Sequence, residues 1–214
     1  MRMQTNLLAV LLLIIVAAGC AYSQQTDTAA NTDTRSSSTA TNSALPAPTP
    51  YVFPDKHERF RRYVKSTIGP FSLARDAVSA GLNQWDNSPP DWGQGARGFG
   101  KRYASSFGGN LIHQTVEYGL NETLHLDGHF ERSQRDGFFP RLKDALVQNV
   151  SARTRSGDRV FSIPKVAGYY AGGIIPKVTW YPDRYSYKDG LRSGTKSLLT
   201  GFGINVFREF VWNF

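Results

Sequence analysis

Four side chains that could carry chemistry lie close together in the sequence: His113, Glu117, His125 and His129. His113 and Glu117 are four residues apart, so a helix would place both on one face. The two later histidines follow in a predicted loop, with Asp127 between them. Imidazole and carboxylate groups are ligands that zinc and similar ions accept, so the four are a candidate metal site. The alternative is a surface pair of histidines beside a histidine that caps or borders a helix.

Motifs for other kinds of catalysis are missing from the sequence. There is no Gly-x-Ser-x-Gly nucleophile motif, and Gly98-Phe99-Gly100 does not follow a strand as a phosphate-binding loop would. We therefore expect no cofactor and predict a non-enzymatic protein. The alternative is a metal-dependent hydrolase that acts on lipid or cell-wall substrates through the His/Glu group.

The only cysteine, Cys20, ends the most hydrophobic segment of the chain. An apolar run over residues 7–16 follows Arg2 and leads into Ala17-Ala18-Gly19, which predicts a signal peptide over residues 1–19. The approach to Cys20 resembles a bacterial lipobox, although Ala17 stands where Leu is usual. The resemblance implies that Cys20 is acylated and becomes the mature N-terminus. An ordinary signal peptide, cleaved without lipidation, is the alternative.

Residues 20–50 are predicted to form the lipidated N-terminus and a disordered linker. The segment consists almost entirely of Ala, Ser, Thr, Gln, Asn, Asp and Pro, so it has almost no large apolar side chains to bury. Burial could therefore not offset the conformational entropy that is lost when the segment is ordered. The domain is predicted over residues 51–214. We expect the protein to be exported to the cell envelope, either anchored at the outer membrane or periplasmic, and Ala21 after the cysteine favours the outer membrane.

The charge of the chain suggests which partners it meets. It has 25 Lys and Arg against 17 Asp and Glu, a net charge of +8, and residues 51–214 keep that balance. Such a charge predicts contact with the membrane, through anionic head groups, or with another component of the envelope, and export argues against nucleic acid. Much of the basic charge lies in the first predicted helix, at Lys56, Arg59, Arg61, Arg62 and Lys65. The alternative is that these residues only keep the surface soluble; protein partners are not indicated.

Helical periodicity dominates residues 51–214 and predicts a mostly α fold, a compact bundle of five to six helices. Asp55 with Glu58 predicts the first N-cap, and Gly69-Pro70 separates the first helix from the second. The predicted helices cover about 55–68, 71–85, 95–118, 140–152, 164–175 and 190–210.

Small residues recur every four positions in three of these helices. The sets are Ala96/Gly100/Ala104/Gly108, Ala167/Ala171, Gly168/Gly172 and Ser193/Ser197/Gly201. Glycine inside a helix costs up to ~1 kcal/mol relative to alanine, so its repetition suggests a packing purpose. Small residues at this spacing let helix backbones approach closely. We predict tight packing within the bundle; insertion into a bilayer is the alternative, made costly by Arg97, Lys101 and Arg102.

Several segments resemble an uncharacterised family of exported bacterial envelope proteins. They are Trp92-Gly93-Gln94-Gly95 with the following residues to Arg102, the segment 124–130, the segment 151–157 and Asn205 to Phe210. A segment typical of the family reads His-x-Asp-Pro-Arg-Tyr, whereas this chain has His125-Leu126-Asp127-Gly128-His129-Phe130. The resemblance covers most of residues 55–210 and implies an envelope location and no known activity, and it supplies no catalytic residues.

Overall fold

The computed structural model describes residues 51–211 of the chain. The predicted signal peptide, Cys20 and the linker lie outside the described residues. The helices are α1 (Lys56–Ile68), α2 (Pro70–Trp85), α3 (Gly95–Leu124), α4 (Phe138–Gln148), α5 (Ile163–Thr179) and α6 (Tyr187–Phe210). A 3₁₀ turn covers Pro90–Trp92, and strands β1 (Ser151–Arg153) and β2 (Arg159–Phe161) form an antiparallel hairpin.

This architecture confirms the prediction of a mostly α bundle, with six α-helices in residues 51–211. The predicted N-cap is present, because Asp55 accepts a hydrogen bond from the backbone N–H of Glu58 at 2.7 Å. Pro70 occupies the first turn of α2, where its missing N–H costs nothing. The structure differs at other ends: α3 continues to Leu124 and α5 continues past Pro176 to Thr179.

Four helices, α2, α3, α5 and α6, pack in that order as a layer, each antiparallel to its neighbour. Between α2 and α3, Asn110 donates to Ser72 at 2.8 Å and Ser106 donates to Ser79 at 3.4 Å, so the chain positions run in opposite directions. Between α3 and α5, Gly168 lies against His113, and Gly172 lies against Gly109. Each helix therefore returns along the one before it.

Glycines bring α5 very close to both of its neighbours. A Cβ on Gly172 would lie 2.7 Å from the carbonyl oxygen of Gly109 in α3, and a Cβ on Gly173 would lie 2.5 Å from the backbone nitrogen of Gly194 in α6. Neither distance is possible for a real side chain, so glycine is required where these backbones touch. The predicted close packing therefore applies to the Gly168/Gly172 pair.

Only part of the predicted stripe of small residues in α3 makes close packing contacts. Gly108 packs against the Trp180 ring, whose nearest atom would be 3.1 Å from an added Cβ, but a Cβ on Gly100 would meet nothing within 4 Å. The first half of that stripe thus makes no close helix contact in the described part of the chain.

Arg102 organises the connection between α2 and α3. It is 1% exposed and donates to the carbonyl oxygens of Ser88 (3.0 Å), Pro89 (2.8 Å) and Gly93 (2.7 Å). It also donates to the side-chain oxygens of Gln84 and Asn87, at 2.6 and 3.2 Å. One planar guanidinium thus satisfies five acceptors and holds the ends of both helices together.

The C-terminal end of α6 is tied to α4 through Glu209, whose side chain is fully buried. Its carboxylate accepts from Arg141 Nε at 2.8 Å and from the backbone N–H of Ser133 at 3.0 Å. Its backbone carbonyl accepts from Arg132 and Arg141, both at 2.9 Å. Because both carboxylate oxygens of Glu209 accept a hydrogen bond, the free-energy cost of burying its charge is offset.

Polarity is distributed unusually in residues 51–211. Among the described residues, three hydrophobic side chains are buried, Ala80, Ala145 and Ala152, against fifteen polar or charged ones. Large apolar side chains such as Trp85, Val178 and Leu199 are instead exposed. Within residues 51–211, no helix combines the length and the apolar character needed to cross a membrane.

Candidate functional site: a polar cleft and an aromatic–basic end

A cleft of about 970 Å³ opens along one side of the helix layer. Side chains of α1, α2, α3, α5 and α6 and of the segment 126–130 line it, and most of them are polar or aromatic. Eight lysines and arginines line it, against four aspartates and glutamates, so its charge is positive. A concave polar site of this size can hold a small molecule.

His113 and Tyr169 lie at the middle of the cleft, where α3 meets α5. Their ring centroids are 4.4 Å apart, and the Tyr169 hydroxyl donates to Asn149 Oδ1 at 3.0 Å. Burial, together with the charge of Glu117, raises the pKa of Tyr169 to about 12. Tyr169 therefore stays protonated at neutral pH and acts as a fixed hydrogen-bond donor. Gly201 makes the arrangement possible, because a Cβ there would clash with both Tyr169 and Asn149.

Lys165 is buried at the N-terminal end of α5. Its ammonium donates to the carbonyl oxygen of Gln148 at 2.6 Å. Burial lowers the pKa of Lys165, and the charges of Glu117 and Asp127 oppose that effect. Its stem lies beside Gly128, where an added Cβ would be 3.0 Å from the Lys165 Cε. The lysine thus joins the loop after α3 to the start of α5.

Arg75 and Asp76 face the cleft from α2. Arg75 Nη2 donates to Asn110 Oδ1 and lies 3.7 Å from Asp76 Oδ1. Asp76 is 4% exposed. Burial raises its pKa, and the charge and hydrogen bond of Arg75 work against that rise. A carboxyl group this deeply buried normally has hydrogen-bond partners for both oxygens.

Three buried polar atoms have no hydrogen-bond partner within residues 51–211: Asp76 Oδ2, His113 Nε2 and Asn121 Oδ1. All three belong to residues that line the cleft. His113 Nε2 is 3.3 Å from Glu117 Oε2, close enough for an ion pair, but the two groups are not aligned as a hydrogen bond. Such groups are costly to leave unpaired, and all three atoms are closed off from solvent.

The predicted metal ligands do not come together as a set. His113, Glu117 and His129 line the cleft, whereas His125 caps the exposed end of α3 in the left-handed conformation (φ 54°), with Nδ1 2.8 Å from the Glu122 carbonyl oxygen. In the described residues, no three His, Cys, Asp or Glu side chains are grouped closely enough to hold a metal ion. Residues 51–211 therefore do not bring together enough ligands for the zinc-type site that the sequence suggested.

Two basic residues of the first helix, which were predicted to contact head groups, form ion pairs within the protein. Arg59 makes two hydrogen bonds to Glu122, at 2.6 and 2.8 Å. Arg62 binds Glu58 at 2.8 Å and lies 3.4 Å from Asp127. These ion pairs fasten α1 to α3 and to the following loop, which reduces the charge that α1 offers to a membrane.

One end of the layer gathers exposed aromatic and basic side chains instead. At this end α2 and α5 finish and α3 and α6 begin, as the 4.7 Å contact between the Trp92 and Tyr181 rings and the 3.1 Å ion pair between Arg184 and Asp91 confirm. We call it the aromatic–basic end. Its exposed side chains are Trp85, Phe99, Trp180 and Tyr187, with Arg97, Lys101, Lys188 and Arg192.

The sequence analysis missed most of the cleft. Arg75, Asp76 and Arg208 were not candidates, although α2 carries a polar stripe at helical spacing, Ser72, Arg75/Asp76, Ser79 and Asn83, that lies entirely along the cleft. A search for polar residues at positions i, i+3, i+4 and i+7 would have found that stripe. Of the predicted residues, His113 and Glu117 are central to the cleft.

Comparison of the chain with protein-family models, with curated proteins and with solved structures finds no match.

Proposed function

We propose that this chain is a non-enzymatic protein of the cell envelope, exported and anchored through an acylated Cys20, whose helical domain binds the surface of an anionic membrane. The observation that carries the membrane contact is the aromatic–basic end. Trp85 is 83% exposed there, and α3 and α6 place exposed basic side chains at the same end of the layer. Tryptophan and tyrosine are enriched at membrane interfaces, where the ring enters the head-group region and the polar edge stays wet.

The outer surface of α6 continues this end. Lys188, Leu191, Arg192, Thr195 and Leu199 follow one another at helical spacing, and all five are exposed. The stripe places apolar and cationic groups side by side on one exposed surface of the helix. Long basic side chains can reach the phosphates while leucines enter the acyl boundary.

So many exposed apolar side chains indicate a surface that another molecule binds. A soluble helical bundle buries leucine, valine and tryptophan, whereas here the buried positions are polar. Large exposed apolar surfaces beside polar residues usually mark interaction sites. A lipid bilayer fits this one, because the surface combines apolar, aromatic and basic groups. Acids are present as well: Asp91 pairs with Arg184 at 3.1 Å, and Asp189 lies 3.8 Å from Arg192.

The proposal is tested by co-sedimentation with vesicles. The protein is the mature chain from residue 20 with Cys20→Ser, so that neither the predicted signal peptide nor an acyl group contributes, and the vesicles are phosphatidylcholine with or without phosphatidylglycerol. We expect binding to the anionic vesicles at low salt, release as salt rises, and weak binding to the neutral ones. Trp85→Ser with Arg192→Gln removes one anchor of each kind, worth about 2 and about 1 kcal/mol, so the partition constant should fall about 100-fold.

A matched variant separates this end from general effects of charge and hydrophobicity. Phe139 is 79% exposed and Arg61 is exposed, and both lie near the opposite end of the layer. Phe139→Ser with Arg61→Gln should leave vesicle binding within about threefold of the parent. The proposal is wrong if neither type of vesicle binds the parent, or if the two double variants lose equal affinity.

A further inference from the structure

The side of the helix layer opposite to the cleft carries small and apolar residues. Seven of them are exposed, and each lies two positions from a residue of its own helix that lines the cleft. Two positions correspond to about 200° around an α-helix, so these residues point away from the cleft. We call this surface the outer face; it consists of Gly81 in α2, Ala104 and Leu111 in α3, Ile175 and Val178 in α5, and Leu191 and Leu199 in α6.

The acidic residues of these four helices all lie elsewhere. Asp76 is the only acid in α2, and Glu117 and Glu122 are the only two in α3; all three line the cleft. Helix α5 has no acidic residue. In α6, Asp189 closes the capping box of the first turn, and Glu209 is fully buried in the last turn. The outer face therefore has no carboxylate.

Cations lie at one end of the outer face. They precede its members by three or seven residues on the same helices, which places them on the same helical stripes: Arg97 and Lys101 in α3, and Lys188 and Arg192 in α6. All four belong to the aromatic–basic end, and Lys196 follows one turn further along α6. Among these five cations, only Arg192 has a carboxylate of residues 51–211 within ion-pair distance, Asp189 at 3.8 Å.

This distribution of charge determines which partner the outer face fits. Two copies of the chain that met through it would pair one carboxylate-free surface with another, and its cations would gain no partners. An anionic bilayer offers phosphates to the cations and acyl chains to the leucine, isoleucine and valine side chains. A bilayer is therefore a better match than a second copy.

We propose that the outer face lies along an anionic bilayer, with Leu111, Val178 and Leu199 at the acyl boundary and the cations of the aromatic–basic end at the phosphates. The cleft then opens away from the membrane, into the aqueous phase. This inference rests on the proposed function and extends the membrane contact from one end of the layer to a whole side of it. Interfacial helices place their apolar side about 5–10 Å into the boundary between head groups and acyl chains.

Quenching by brominated acyl chains tests this orientation. In the mature chain from residue 20 with Cys20→Ser, the fluorophore NBD is attached to one new cysteine at a time, from Leu111→Cys, Leu199→Cys or Ser197→Cys. Leu111 and Leu199 lie about 24 and about 18 Å along their helices from the aromatic–basic end, at about 1.5 Å for each residue. Ser197 is the matched control, because it is exposed on the cleft side of the helix that carries Leu199.

The vesicles contain phosphatidylcholine and phosphatidylglycerol with brominated chains. We expect the labels at Leu111 and Leu199 to lose at least about half of their fluorescence and the label at Ser197 to lose less than about a tenth, because only the outer face reaches the acyl boundary.

The outcomes separate this inference from the proposed function. If the labelled chains sediment with anionic vesicles but Leu111 and Leu199 are not quenched, the outer face does not lie on the membrane, and the inference is wrong while the proposed function stands. Equal quenching at Ser197 and Leu199 also overturns the inference, because both sides of the layer would then face lipid. If the chain does not bind the vesicles, both the inference and the proposed function are wrong.

Two charge variants repeat the test without labels. Leu111→Asp with Leu199→Asp places two carboxylates on the outer face, and Ser197→Asp with Thr200→Asp adds the same charge at exposed positions on the cleft side. Added carboxylates weaken binding to an anionic vesicle from any position, so the two variants are compared with each other. The outer-face variant should bind at least about tenfold more weakly than the cleft-side variant.

Equal binding of the two variants, once circular dichroism has shown that both are folded, would contradict the inference. A dimer that forms without lipid and that the outer-face variant disrupts would assign the outer face to a second copy, and would likewise overturn the inference.

Discussion

Replacement of Arg102 by methionine should be among the most destabilising single changes in the domain. The variant keeps a side chain of comparable length and loses all five hydrogen bonds. Gln84 and Asn87 can turn toward water, so the main cost comes from the carbonyl oxygens of Ser88, Pro89 and Gly93. At ~1–3 kcal/mol for each buried acceptor left unpaired, less what entering water restores, we expect a loss of about 4 kcal/mol.

Urea denaturation followed by circular dichroism measures this loss. A whole domain has a free energy of unfolding of only ~5–15 kcal/mol, so the midpoint should move far to lower urea. Arg97→Met is the control, because Arg97 is exposed on the same helix, and it should change stability by less than about 0.5 kcal/mol. A loss below about 1 kcal/mol for Arg102→Met, or equal losses in both variants, would show that the guanidinium does not hold the α2–α3 connection.

Two further predictions concern packing and pH. Gly173→Ala should lower the free energy of unfolding by at least ~1–3 kcal/mol in urea denaturation, because its Cβ would lie 2.5 Å from the Gly194 nitrogen. Gly100→Ala is the control: its Cβ meets no neighbour, so it should stabilise the domain by up to ~1 kcal/mol. Equal effects of the two changes would contradict the helix contact. Burial lowers the pKa of Lys177 from 10.5 to about 8. Between those pH values the unfolded chain holds a proton that the folded chain has released, so stability should rise with pH across the window. Lys177→Met should reduce that rise, since Lys165, whose pKa burial also lowers, keeps its own share, and an unchanged pH profile would contradict the lowered pKa.

The sequence predicts the helices well because their signals are local. Asp55, Pro70 and the apolar periodicity act within a few residues, so they determine where α1 and α2 begin. The sequence analysis ended α3 near residue 118, whereas the helix continues to Leu124. The hairpin was missed because strands of three residues show no alternation that periodicity can detect.

The continuation of α5 through Pro176 has a tertiary cause. The proline ring lies in the last turn and contacts the α3 backbone at Gly109, where an added Cβ would be 3.6 Å from the ring. The rule that proline ends a helix does not include such contacts.

The cleft could be predicted only in part. His113 and Glu117 were found because they lie on one helix at a spacing of four residues. Arg75 and Arg208 are more than a hundred residues apart, and only the order of helices in the layer brings them to one cleft. Nothing in the periodicity of either helix specifies that order. Glycines such as Gly172 and Gly173 allow the close helix contacts on which that order depends. In the sequence, they indicate that two helices approach closely but not which two helices these are.

The most direct test of the membrane proposal is quenching of Trp85 fluorescence by brominated phospholipids. In the mature chain from residue 20 with Cys20→Ser, Trp92, Trp180 and Trp212 are changed to Phe, so that Trp85 alone reports. In the control chain Trp85 is also changed to Phe and the only tryptophan comes from Phe139→Trp, at the opposite end. We predict that brominated anionic vesicles quench Trp85 strongly and the control tryptophan weakly. Equal quenching of the two positions, or a Trp85 that remains fully accessible to acrylamide on the vesicles, would contradict the proposal.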